Sequence, residues 1–558
     1  MKKQTAIAAV VALSIILLIP GAARVQDLGG GGVELPPPSD PAPAKHPKIE
    51  AGLFRLVESY KASGLAAAVE SARALKIGLN PDDTLRLVVE VEREFLRNPK
   101  NRTVWTLTQS IGSLGGQVET THDDLIQASV PLSAIQRLAD SPLVRFVRRP
   151  LRPHILATSE GVASTGADEW ISLPSFHGTG SKTKVCILDL GFDGYKALLG
   201  TELPASVTTR SFRYDNDIEA GEPHGAACAE IVHDMAPDAQ LYLVNFDTDV
   251  EQHNAVDWII AQGVQVISYS IGWTNAGAGD GTGPIDIDVD HAAAAGIIWA
   301  SSAGNDAVSH YEGSFSDPDS DGWHNFSGAA ELLKFEVDAY ETVGAFLNWD
   351  DWGSWNGTDY SGSNQDYDLY LYMWTGVTWL EVASSAGPQT GSQWPTEEIY
   401  GYTGTSTTLW GVAIRKVSTT RNCKLELFIW GNNDTIEYNV PSGSLGIPAD
   451  SKNCLAAGAI DWLDSSYHYY SSRGPTHDGR IKPDFGCPSG VTTDTYGHYG
   501  FYGTSASAPH LAGAFGLILS RTAYSSDQIL EMLKLRAVDL GSPGKDNMYG
   551  WGGLNLKR

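Results

Sequence analysis

Four apolar runs between residues 183 and 304 lack the polar alternation of a half-exposed strand. They are TKVCILDL, QLYLVNF, VQVISYSIG and GIIWASSAG. Continuous runs of this kind are typical of strands that are buried on both faces of a parallel sheet. The stretches between them, HGAACAEIVHDM, QHNAVDWIIAQ and DVDHAAAA, are predicted to be helices. Strands that alternate with helices predict a doubly wound α/β domain.

A different pattern precedes this domain. From about residue 51, LFRLVESYKASGLAAAVESARAL has apolar residues at helical spacing, and TLRLVVEVE alternates like a strand. Helix-like TVWTLTQSIGSLGG, strand-like QVETT and LIQASVPL, helix-like SAIQRLAD and strand-like LVRFVRRP follow. This order of strand, helix, two strands, helix and strand predicts a small α+β domain of the ferredoxin-like kind, ending near residue 150.

The α/β pattern is interrupted after about residue 309. Up to about residue 448 the chain is rich in Trp, Tyr, Thr, Gly and Asp, and nine of its sixteen Trp lie there. The runs KFEVDAY, DYDLYLYMW, TLWGVAIRKV and KLELFIW are bounded by turn residues, which predicts an all-β sandwich. Because KNCLAAGAI then resumes the α/β character, the sandwich is predicted to be an insertion.

The first residues have the pattern of a secretory signal. Two lysines precede an apolar stretch over residues 6–19 and small residues that end at Ala23. Fourteen apolar residues are fewer than the roughly eighteen that a membrane-spanning helix needs. We expect the following domains: signal peptide 1–23, Gly/Pro-rich linker 24–50, α+β unit 51–152, α/β domain 160–308, inserted sandwich 309–448, and the second part of the α/β domain 449–558.

Net charge and cysteine content exclude some kinds of partner and some kinds of site. The net charge of −27, from 66 acidic and 39 basic residues, would repel a phosphate backbone, so we expect no nucleic-acid partner. Five cysteines are too few and too scattered for a disulfide scaffold or a Cys-rich zinc site. The odd number leaves at least one unpaired, and Cys423 and Cys454 are the candidates for a pair.

Four polar residues occupy positions where nucleophilic catalysis needs them. Asp189 ends the strand KVCILDL, His224 opens the helix HGAACAEIVHDM beside Gly225, Asn305 ends WASSAGN, and Ser505 begins the helix of FYGTSASAPHLAGAFGLIL. Each alone has a structural alternative, since such residues often serve as turn or helix-cap residues. The chain order Asp, His, Ser is one of the three known triad orders, which favours catalysis.

Seven motifs then resemble those of the subtilisin-like serine peptidases. They are VCILDLGFDG, PHGAACAEIVHDMAP, VISYSIG, WASSAGN, YGTSASAPHLAG, YYSSRGPTHDGRIKPD and KDNMYGWGGLN. The resemblance implies a subtilisin-like doubly wound parallel sheet. It also implies that Asp189 orients His224, that His224 is the general base for Ser505, and that Asn305 is an oxyanion donor. The substrate channel would be lined by Ser270, Ile271, Gly272, Ala300, Ser301, Ser302, Ala303 and Gly304.

The resemblance extends beyond the catalytic motifs. The α+β unit is similar to the inhibitory propeptides of this family, and the insertion is similar to β-sandwich modules attached to such peptidases. Ala506 and Ser507 replace a usual Met and Ala, and CPSG replaces a usual Ala-Pro-Gly. Cys228 matches a thiol found in some members, although a small buried core residue is the favoured interpretation. His233 and His510 are interpreted as structural.

One segment of the insertion has the spacing of a calcium loop. DPDSDG places Asp317, Asp319 and Asp321 at alternate positions before a glycine. No glutamate stands at the twelfth position, so a plain acidic turn is an equal alternative. Catalysis itself is expected to need no cofactor, and calcium would be a structural ion.

Together with the signal-like pattern, the resemblance implies a secreted, monomeric serine endopeptidase that is made as a zymogen and hydrolyses protein or peptide substrates. It also implies that the zymogen cuts its own chain between Arg152 and Gly166. A catalytically inert exported protein that binds glycan or protein through the sandwich is the alternative. A glycosidase that uses Asp350 and Asp351 is disfavoured because adjacent residues on a strand point to opposite faces.

Overall fold

The computed structural model describes residues 46–74, 79–80, 83–92, 103–122, 124–148, 158–174, 183–432 and 435–558. The predicted signal segment and most of the predicted linker lie outside these residues. The chain divides into two compact units, Ser14–His154 and a larger unit that contains Ile155–Arg558. No helix in the described ranges has both the length and the apolar character to cross a membrane.

The smaller unit is a four-stranded antiparallel sheet packed against helices. Its strand order is β2-β3-β1-β4, the order of a ferredoxin-like fold, as the sequence predicts. Glycine at position 64, with φ of 78°, divides the first helix into two. In chain order the elements are α1 (Ala51–Ala74), β1 (Thr84–Val91), α2 (Thr103–Ser113), β2 (Gln117–His122), β3 (Leu125–Pro131), a 3₁₀ turn (Leu132–Ala134), α3 (Ile135–Ala139) and β4 (Val144–Arg148).

The larger unit contains the remaining helices and strands. Its helices are α4 (Glu160–Thr165), α5 (Ala167–Ile171), α6 (Tyr195–Leu198), α7 (His224–Met235), α8 (Asp249–Ala261), α9 (Pro284–Ala294), α10 (Thr504–Arg521) and α11 (Ser526–Arg536). Its strands are β5 (Lys184–Asp189), β6 (Thr208–Ser211), β7 (Gln240–Asn245), β8 (Val266–Tyr269), β9 (Ile298–Ser302), β10 (His310–Ser314), β11 (Leu333–Val337), β12 (Thr342–Trp349), β13 (Asp366–Trp374), β14 (Trp379–Ser385), β15 (Thr396–Tyr402), β16 (Thr408–Ser418), β17 (Lys424–Trp430), β18 (Cys454–Asp461), β19 (Phe485–Ser489), β20 (Val491–Thr493) and β21 (Gly497–Phe501).

A seven-stranded parallel sheet organises the larger unit. The strand order is β19-β18-β9-β8-β5-β7-β6, and every pairing in it is parallel. Strands β5, β7, β8 and β9 lie within the four predicted apolar runs. The chain passes from β7 over β5 to β8, so the order reverses beside β5. In parallel sheets, sites form at the carboxyl ends of the strands near such a reversal.

Helix α10 packs against this sheet as the most buried helix of the unit. Only Ser505 and Leu519 among its residues are not fully buried. Two glycines permit the close approach: a Cβ on Gly513 would stand 2.4 Å from the Cβ of Met235 in α7, and one on Gly516 would stand 2.9 Å from a methyl of Val185 in β5. The small residues that follow Ser505 therefore bring the start of α10 close to the carboxyl ends of the strands.

The segment between β9 and β18 forms two four-stranded antiparallel sheets. Their orders are β10-β17-β12-β15 and β11-β16-β13-β14. Buried residues of both sheets, including Trp349, Tyr367 and Trp410, belong to one hydrophobic core, which makes the segment a β-sandwich. Cys423 and Cys454, the predicted candidates for a pair, do not form a disulfide. All five cysteines are free, and all are buried.

Candidate active site

Asp189 and His224 form a buried hydrogen-bonded pair at the carboxyl edge of the sheet. Asp189 is the last residue of β5, and His224 is the first residue of α7. The imidazole Nδ1 lies 2.9 Å from Oδ2 and 3.0 Å from Oδ1 of the carboxylate. Oδ1 also accepts from the Leu190 amide at 2.8 Å, which holds the carboxylate in place. Because a carboxylate only accepts, Nδ1 carries the proton and Nε2 is directed away from the pair.

Gly225 permits the approach of α7 to β5. A Cβ there would stand 2.6 Å from the Gly191 carbonyl oxygen, 2.7 Å from the Phe192 ring and 2.9 Å from the Cβ of Asp189. From the sequence alone, the lack of a side chain at Gly225 is expected to leave room for the His224 imidazole. The structure instead uses it to let the backbone after β5 pack against the helix, which brings the two side chains together.

The charge of Asp189 controls the protonation of His224. Burial disfavours the charged imidazolium, but the Asp189 carboxylate and, at longer range, Glu222 favour it. The net effect raises the pKa of His224 above its usual value of 6.5. The imidazole is therefore a stronger base than a free histidine.

Ser505 is the second residue of α10, and the proline four residues later changes its surroundings. Pro509 has no N–H, so the Ser505 carbonyl lacks its helical partner. That carbonyl oxygen instead accepts from the Ser270 hydroxyl at 3.0 Å and lies 3.6 Å from the Cys228 thiol. The two side chains tie the start of α10 to the end of β8 and to α7. The sequence shows Pro509, but which groups satisfy the carbonyl only the fold reveals.

Cys228 lies close to both His224 and Ser505. A ring nitrogen of His224, the Cys228 sulfur and a carboxylate oxygen of Asp189 lie within 4.8 Å of one another, and the same sulfur contacts the Ser505 carbonyl. Nε2 of His224 is buried and has no hydrogen-bond partner among the described residues. The Ser505 hydroxyl donates to the Ser270 carbonyl at 3.4 Å. Cys228 thus links the Asp189–His224 pair to the backbone of Ser505, and in this structure the imidazole and the serine hydroxyl are not hydrogen-bonded to each other.

Burial suppresses the reactivity of Cys228 itself. The pKa of its thiol is raised well above 9.0, chiefly by burial and also by the nearby Asp189 carboxylate. A thiol of this kind stays protonated and is a poor nucleophile. Its contact with the Ser505 carbonyl supports the interpretation of Cys228 as a packing residue.

Asn305 contacts the beginning of α10. Its Oδ1 accepts from the Thr504 amide at 2.9 Å and from the Thr504 hydroxyl at 3.1 Å. These bonds leave Nδ2 facing the space beside Gly503, which has no side chain and a φ of 106°. A Cβ on Gly503 would stand 3.4 Å from that Nδ2 and 3.5 Å from the Ser505 amide nitrogen. Two N–H donors therefore border one small space at the positive end of a helix.

The predicted channel residues differ in their exposure. Gly272 is exposed and Ile271 and Gly304 are partly buried, whereas the remaining ones, Ser270, Ala300, Ser301, Ser302 and Ala303, are buried in or beside β8 and β9. Gly446, which the sequence did not indicate, lies next to both predicted channel segments, 270–272 and 300–304. A Cβ there would meet only the Cα atoms of Gly272 and Gly304, at 3.8 and 3.9 Å, and the Ala303 oxygen at 4.0 Å.

The three aspartates of the predicted calcium loop lie between β10 and β11, outside this site. Their carboxylate oxygens lie within 4.8 Å of one another. Asp317 accepts from the amides of Asp321 and Gly322 at 3.1 and 3.2 Å, which folds the loop around it. Glu331 is a fourth nearby carboxylate, since burial and the charges of Asp321, Asp319 and Asp317 raise its pKa. Sequence spacing alone did not indicate Glu331.

The glycosidase alternative was disfavoured for a reason that the structure corrects. Asp350 and Asp351 follow β12 in a loop and point to the same partner, Arg421, at 2.8 and 3.2 Å. They are thus not on opposite faces of a strand. Both carboxylates are engaged in ion pairs with one guanidinium.

His510 is a structural residue, as predicted. It is fully buried in α10, and its ring bonds to the Ala506 carbonyl at 2.7 Å and to the Ser159 hydroxyl at 2.8 Å. Burial lowers the pKa of His510 to about 4, so the ring stays neutral.

Comparison with known proteins identifies the family. The family model described as Peptidase_S8, subtilase family, matches residues 180–407 and 352–552, which is more than half of the chain. The chain belongs to the subtilase family. This subtilase is 27% identical over 219 residues to subtilisin E of Bacillus subtilis (strain 168), covering 36% of this chain and 54% of that protein. It is 28% identical over 165 residues to an extracellular serine protease of Serratia marcescens, covering 25% of this chain and 15% of that protein.

The chain thus spans about half or less of the length of these curated relatives. Among solved structures, the CspB protease of Clostridium perfringens matches with a TM-score of 0.50 and 15% identity, over 71% of this chain and 97% of that one. This likeness concerns the fold. The subtilase therefore has the subtilisin-like α/β fold that its motifs predict, with additional antiparallel sheets.

The pair of Asp189 and His224 generates a pH prediction. Asp189→Asn removes the attractive charge while burial persists, so the pKa of His224 should fall below its wild-type value and below 6.5. NMR titration of histidines labelled in the imidazole ring measures this directly. Glu381→Gln, which removes an exposed carboxylate of the sandwich, should leave the titration of His224 unchanged. Equal pKa values for His224 in wild type and Asp189→Asn would contradict the coupling.

Proposed function

We propose that this subtilase is a secreted serine endopeptidase that hydrolyses peptide bonds through an acyl-enzyme on Ser505. The observation that carries the proposal is the buried Asp189–His224 pair, which Cys228 links to Ser505 at the start of α10. A nucleophile, a base and a carboxylate that orients the base are the groups that acyl transfer requires. The family supports this chemistry, and the relatives include proteins named as extracellular serine protease and subtilisin.

In the proposed reaction His224 Nε2 takes the proton of the Ser505 hydroxyl as Oγ attacks the substrate carbonyl carbon. Nε2 is available because Nδ1 holds the proton that bonds to Asp189. In this reaction the hydroxyl must turn from the Ser270 carbonyl toward Nε2. Such contacts are often long in enzymes without substrate and tighten in the complex. The imidazolium then returns the proton to the leaving amine, and water hydrolyses the acyl-enzyme by the same steps.

The oxyanion would be held beside Gly503. Nδ2 of Asn305 and the amide of Ser505 border that space, and the free N–H groups at the start of α10 add positive potential. Because Oδ1 of Asn305 is bonded to Thr504, the amide group is already oriented before substrate binds. Preorganised donors of this kind stabilise the transition state more than the ground state.

Protein or peptide chains are the proposed substrates. The backbones that end β8 and β9 provide two edges for an extended chain, and Gly446 leaves the space between Gly272 and Gly304 open to a substrate side chain. No nucleic-acid partner is proposed for a protein with a net charge of −27. Export is proposed from the signal-like pattern of residues 1–23, and we expect a monomer.

The zymogen hypothesis rests on the α+β unit that precedes the catalytic unit. The resemblance to inhibitory propeptides implies that this unit is removed by cleavage between Arg152 and Gly166. Residues 152–157 of that window lie outside the described residues. The other part is folded: the Ser159 amide bonds to Asp234 at 2.7 Å, and its hydroxyl caps α4 and bonds to His510. We therefore place the proposed cut before Ser159.

Calcium is proposed as a structural ion of the sandwich. Asp317, Asp319 and Asp321, with Glu331 close by, supply the carboxylate oxygens that Ca²⁺ prefers. A cation would relieve the mutual repulsion of these groups. It would act on stability and not on the chemical step.

Substitutions at the site test the mechanism. Ser505→Ala or His224→Ala should lower kcat for casein or a peptide by at least about 10⁴-fold with the fold intact. Ser507→Ala, which removes another hydroxyl of the same helix, is the matched control.

The pH dependence of the wild type tests the role of His224. Its kcat/KM should fall as pH drops through the raised pKa of His224, because the imidazolium cannot accept the serine proton. A serine-directed phosphonate should abolish turnover.

Substitution of Asn305 distinguishes a role in catalysis from a role in substrate binding. Asn305→Ala should cost roughly 10² to 10³ in kcat with little change in KM. Asn305→Asp keeps an acceptor for Thr504 and should also lose kcat, since it removes the donor.

Undiminished turnover by folded Ser505→Ala would contradict the assignment of Ser505 as the nucleophile. An inert binding protein would show no hydrolysis at all, and release of sugar from glycosides would favour a glycosidase.

Self-processing is tested by comparing wild type with Ser505→Ala in a protease-deficient host. The wild-type protein should lose about the first 150 residues, with a new N-terminus between residues 153 and 159, because a substrate segment must be extended to be cut. Ser505→Ala should stay at precursor length. N-terminal sequencing and intact mass give the answer. Normal maturation of Ser505→Ala would exclude self-processing, and full activity of an uncut chain would exclude the zymogen.

Calcium binding is tested by stability. Removing calcium with a calcium-selective chelator should lower the Tm of wild type, because the repulsion between the carboxylates returns. Changing Asp317, Asp319 and Asp321 together to Asn should remove this sensitivity. The double variant Asp350→Asn/Asp351→Asn is the control and should keep it. Sensitivity that survives in the triple variant would mean that calcium binds elsewhere.

A further inference from the structure

A second group of ionisable side chains lies where the sandwich meets the parallel-sheet domain. We call it the His/Glu cluster: His310 and Glu312 on β10, Glu426 on β17, and His477 in the loop between β18 and β19. His310 and Glu426 are buried, with 0% and 8% exposure. The nucleophilic mechanism uses none of these residues. The cluster joins side chains from two regions of the chain that are far apart in sequence.

One ligand atom each of Glu312, Glu426 and His477 lie within 4.8 Å of one another, as ligands of one metal ion do, and His310 contacts this group through Glu426. His477 Nε2 and His310 Nε2 each lie 3.2 Å from Oε1 of Glu426, and His477 Nε2 lies 3.7 Å from Oε2 of Glu312. Charge-assisted hydrogen bonds are shorter, about 2.7 to 2.9 Å. Ligands of tetrahedral Zn²⁺ with bonds of about 2.0 to 2.2 Å stand about 3.3 to 3.6 Å apart. The observed distances of 3.2 and 3.7 Å are closer to the separations between zinc ligands than to the lengths of charge-assisted hydrogen bonds.

Backbone carbonyls engage Nδ1 of both imidazoles, which leaves Nε2 of each ring for the cluster. Nδ1 of His477 bonds to the Ala278 carbonyl and Nδ1 of His310 to the Val440 carbonyl, both at 2.6 Å. A carbonyl only accepts, so both Nδ1 atoms carry protons. With Nδ1 engaged, Nε2 of each ring is the atom that faces Oε1 of Glu426, at 3.2 Å. A proton on Nε2 and a bound metal ion are the two ways to satisfy that contact.

The surroundings orient these groups as in metal sites. Metal-binding histidines usually donate their second N–H to a carbonyl or carboxylate, and ligating carboxylates are themselves hydrogen-bonded. Both histidines meet the first condition. The Asn348 amide donates to Oε2 of Glu426 at 2.6 Å and leaves Oε1 for the cluster. Among the described lysines and arginines, Lys424 pairs with one of the two glutamates. Its ammonium group, about half exposed, lies 2.7 Å from Oε2 of Glu312.

A route from solvent exists. Asn348, Glu426 and His477 line a pocket together with residues of the loops after β8 and β17. Glu312 and His477 are partly exposed, with side-chain exposures of 17% and 27%. An ion can therefore reach the cluster in the folded protein.

We propose that the His/Glu cluster binds one Zn²⁺ ion, which fastens the inserted sandwich to the parallel-sheet domain. Oxygen and imidazole ligands suit zinc, and a closed set of protein ligands is typical of structural sites. Glu312 is seven residues beyond Asn305, so the ion would also anchor the loop that carries Asn305. The Asp189–His224–Cys228 group is the competing location, because it too brings three ligand types together.

The test uses the full chain with Ser505→Ala, which removes the proposed self-digestion, after treatment with a chelator. Equilibrium dialysis with Zn²⁺ and elemental analysis should give one bound zinc per chain, and zinc should raise the Tm. His477→Gln and Glu426→Gln should lose the bound zinc and the Tm shift. Asn348→Leu should weaken zinc affinity roughly 10- to 100-fold, since it disturbs only the orientation of a ligand. His291→Gln, an exposed histidine of α9, is the matched control and should bind normally.

Circular dichroism checks that each variant folds, and Glu312→Gln, at the exposed rim, provides a second ligand variant if Glu426→Gln does not. Visible absorption of Co²⁺ in place of Zn²⁺ should report a tetrahedral site that is lost in His477→Gln. Absence of stoichiometric zinc in the parent protein would overturn the proposal in favour of a network of ion pairs. Zinc that persists in His477→Gln and Glu312→Gln but is lost in Cys228→Ser would overturn it in favour of the competing location.

Discussion

The burial of helix α10 is the constraint on which the rest of the structure depends. Its side chains are almost all inside the larger unit, and Gly513 and Gly516 bring its backbone against α7 and β5. Ser505 is one of the two residues not fully buried because it stands at the end of the helix that emerges at the carboxyl edge of the sheet. Hydrophobic packing along the helix thus determines where a polar residue at its start is located.

Pro509 connects this packing to the chemistry of the site. By removing one backbone donor it frees the Ser505 carbonyl, which then needs partners because a buried carbonyl without a hydrogen bond is costly. Ser270 and Cys228 meet that need and fix the start of α10 relative to β8 and α7. Since α7 also carries His224, a single missing N–H helps to hold three elements of the site together.

The sandwich is inserted without disturbing the parallel sheet. Strands β9 and β18 pair directly, with Cys454 opposite Trp299, although the sandwich separates them along the chain. An insertion whose ends lie close together costs the host domain little, since loop-closure entropy grows slowly with length. The same geometry places β10 shortly after Asn305, so the insertion is anchored next to the site. The His/Glu cluster lies at that junction.

The sequence by itself determined the parts of this protein that depend on local pattern. Apolar runs predicted β5, β7, β8 and β9, and the run DYDLYLYMW coincides with β13, because burial on one or both faces leaves a periodic record. The motif order also indicated Asp189, His224, Asn305 and Ser505, whose contacts the structure describes. Strand β6 was missed, since a short strand with polar residues has no such record.

Only the tertiary structure decided which distant residues meet. Examples are the Ser505 carbonyl with its two partners, Gly446 beside Gly272 and Gly304, and Glu331 near the aspartate loop. His310 and His477, likewise far apart in sequence, both contact Glu426. Asp350 and Asp351 likewise share one arginine that the strand pattern did not predict. The physical reason is that side-chain contacts across a fold follow from how helices and sheets pack, whereas sequence periodicity records only whether each residue is buried.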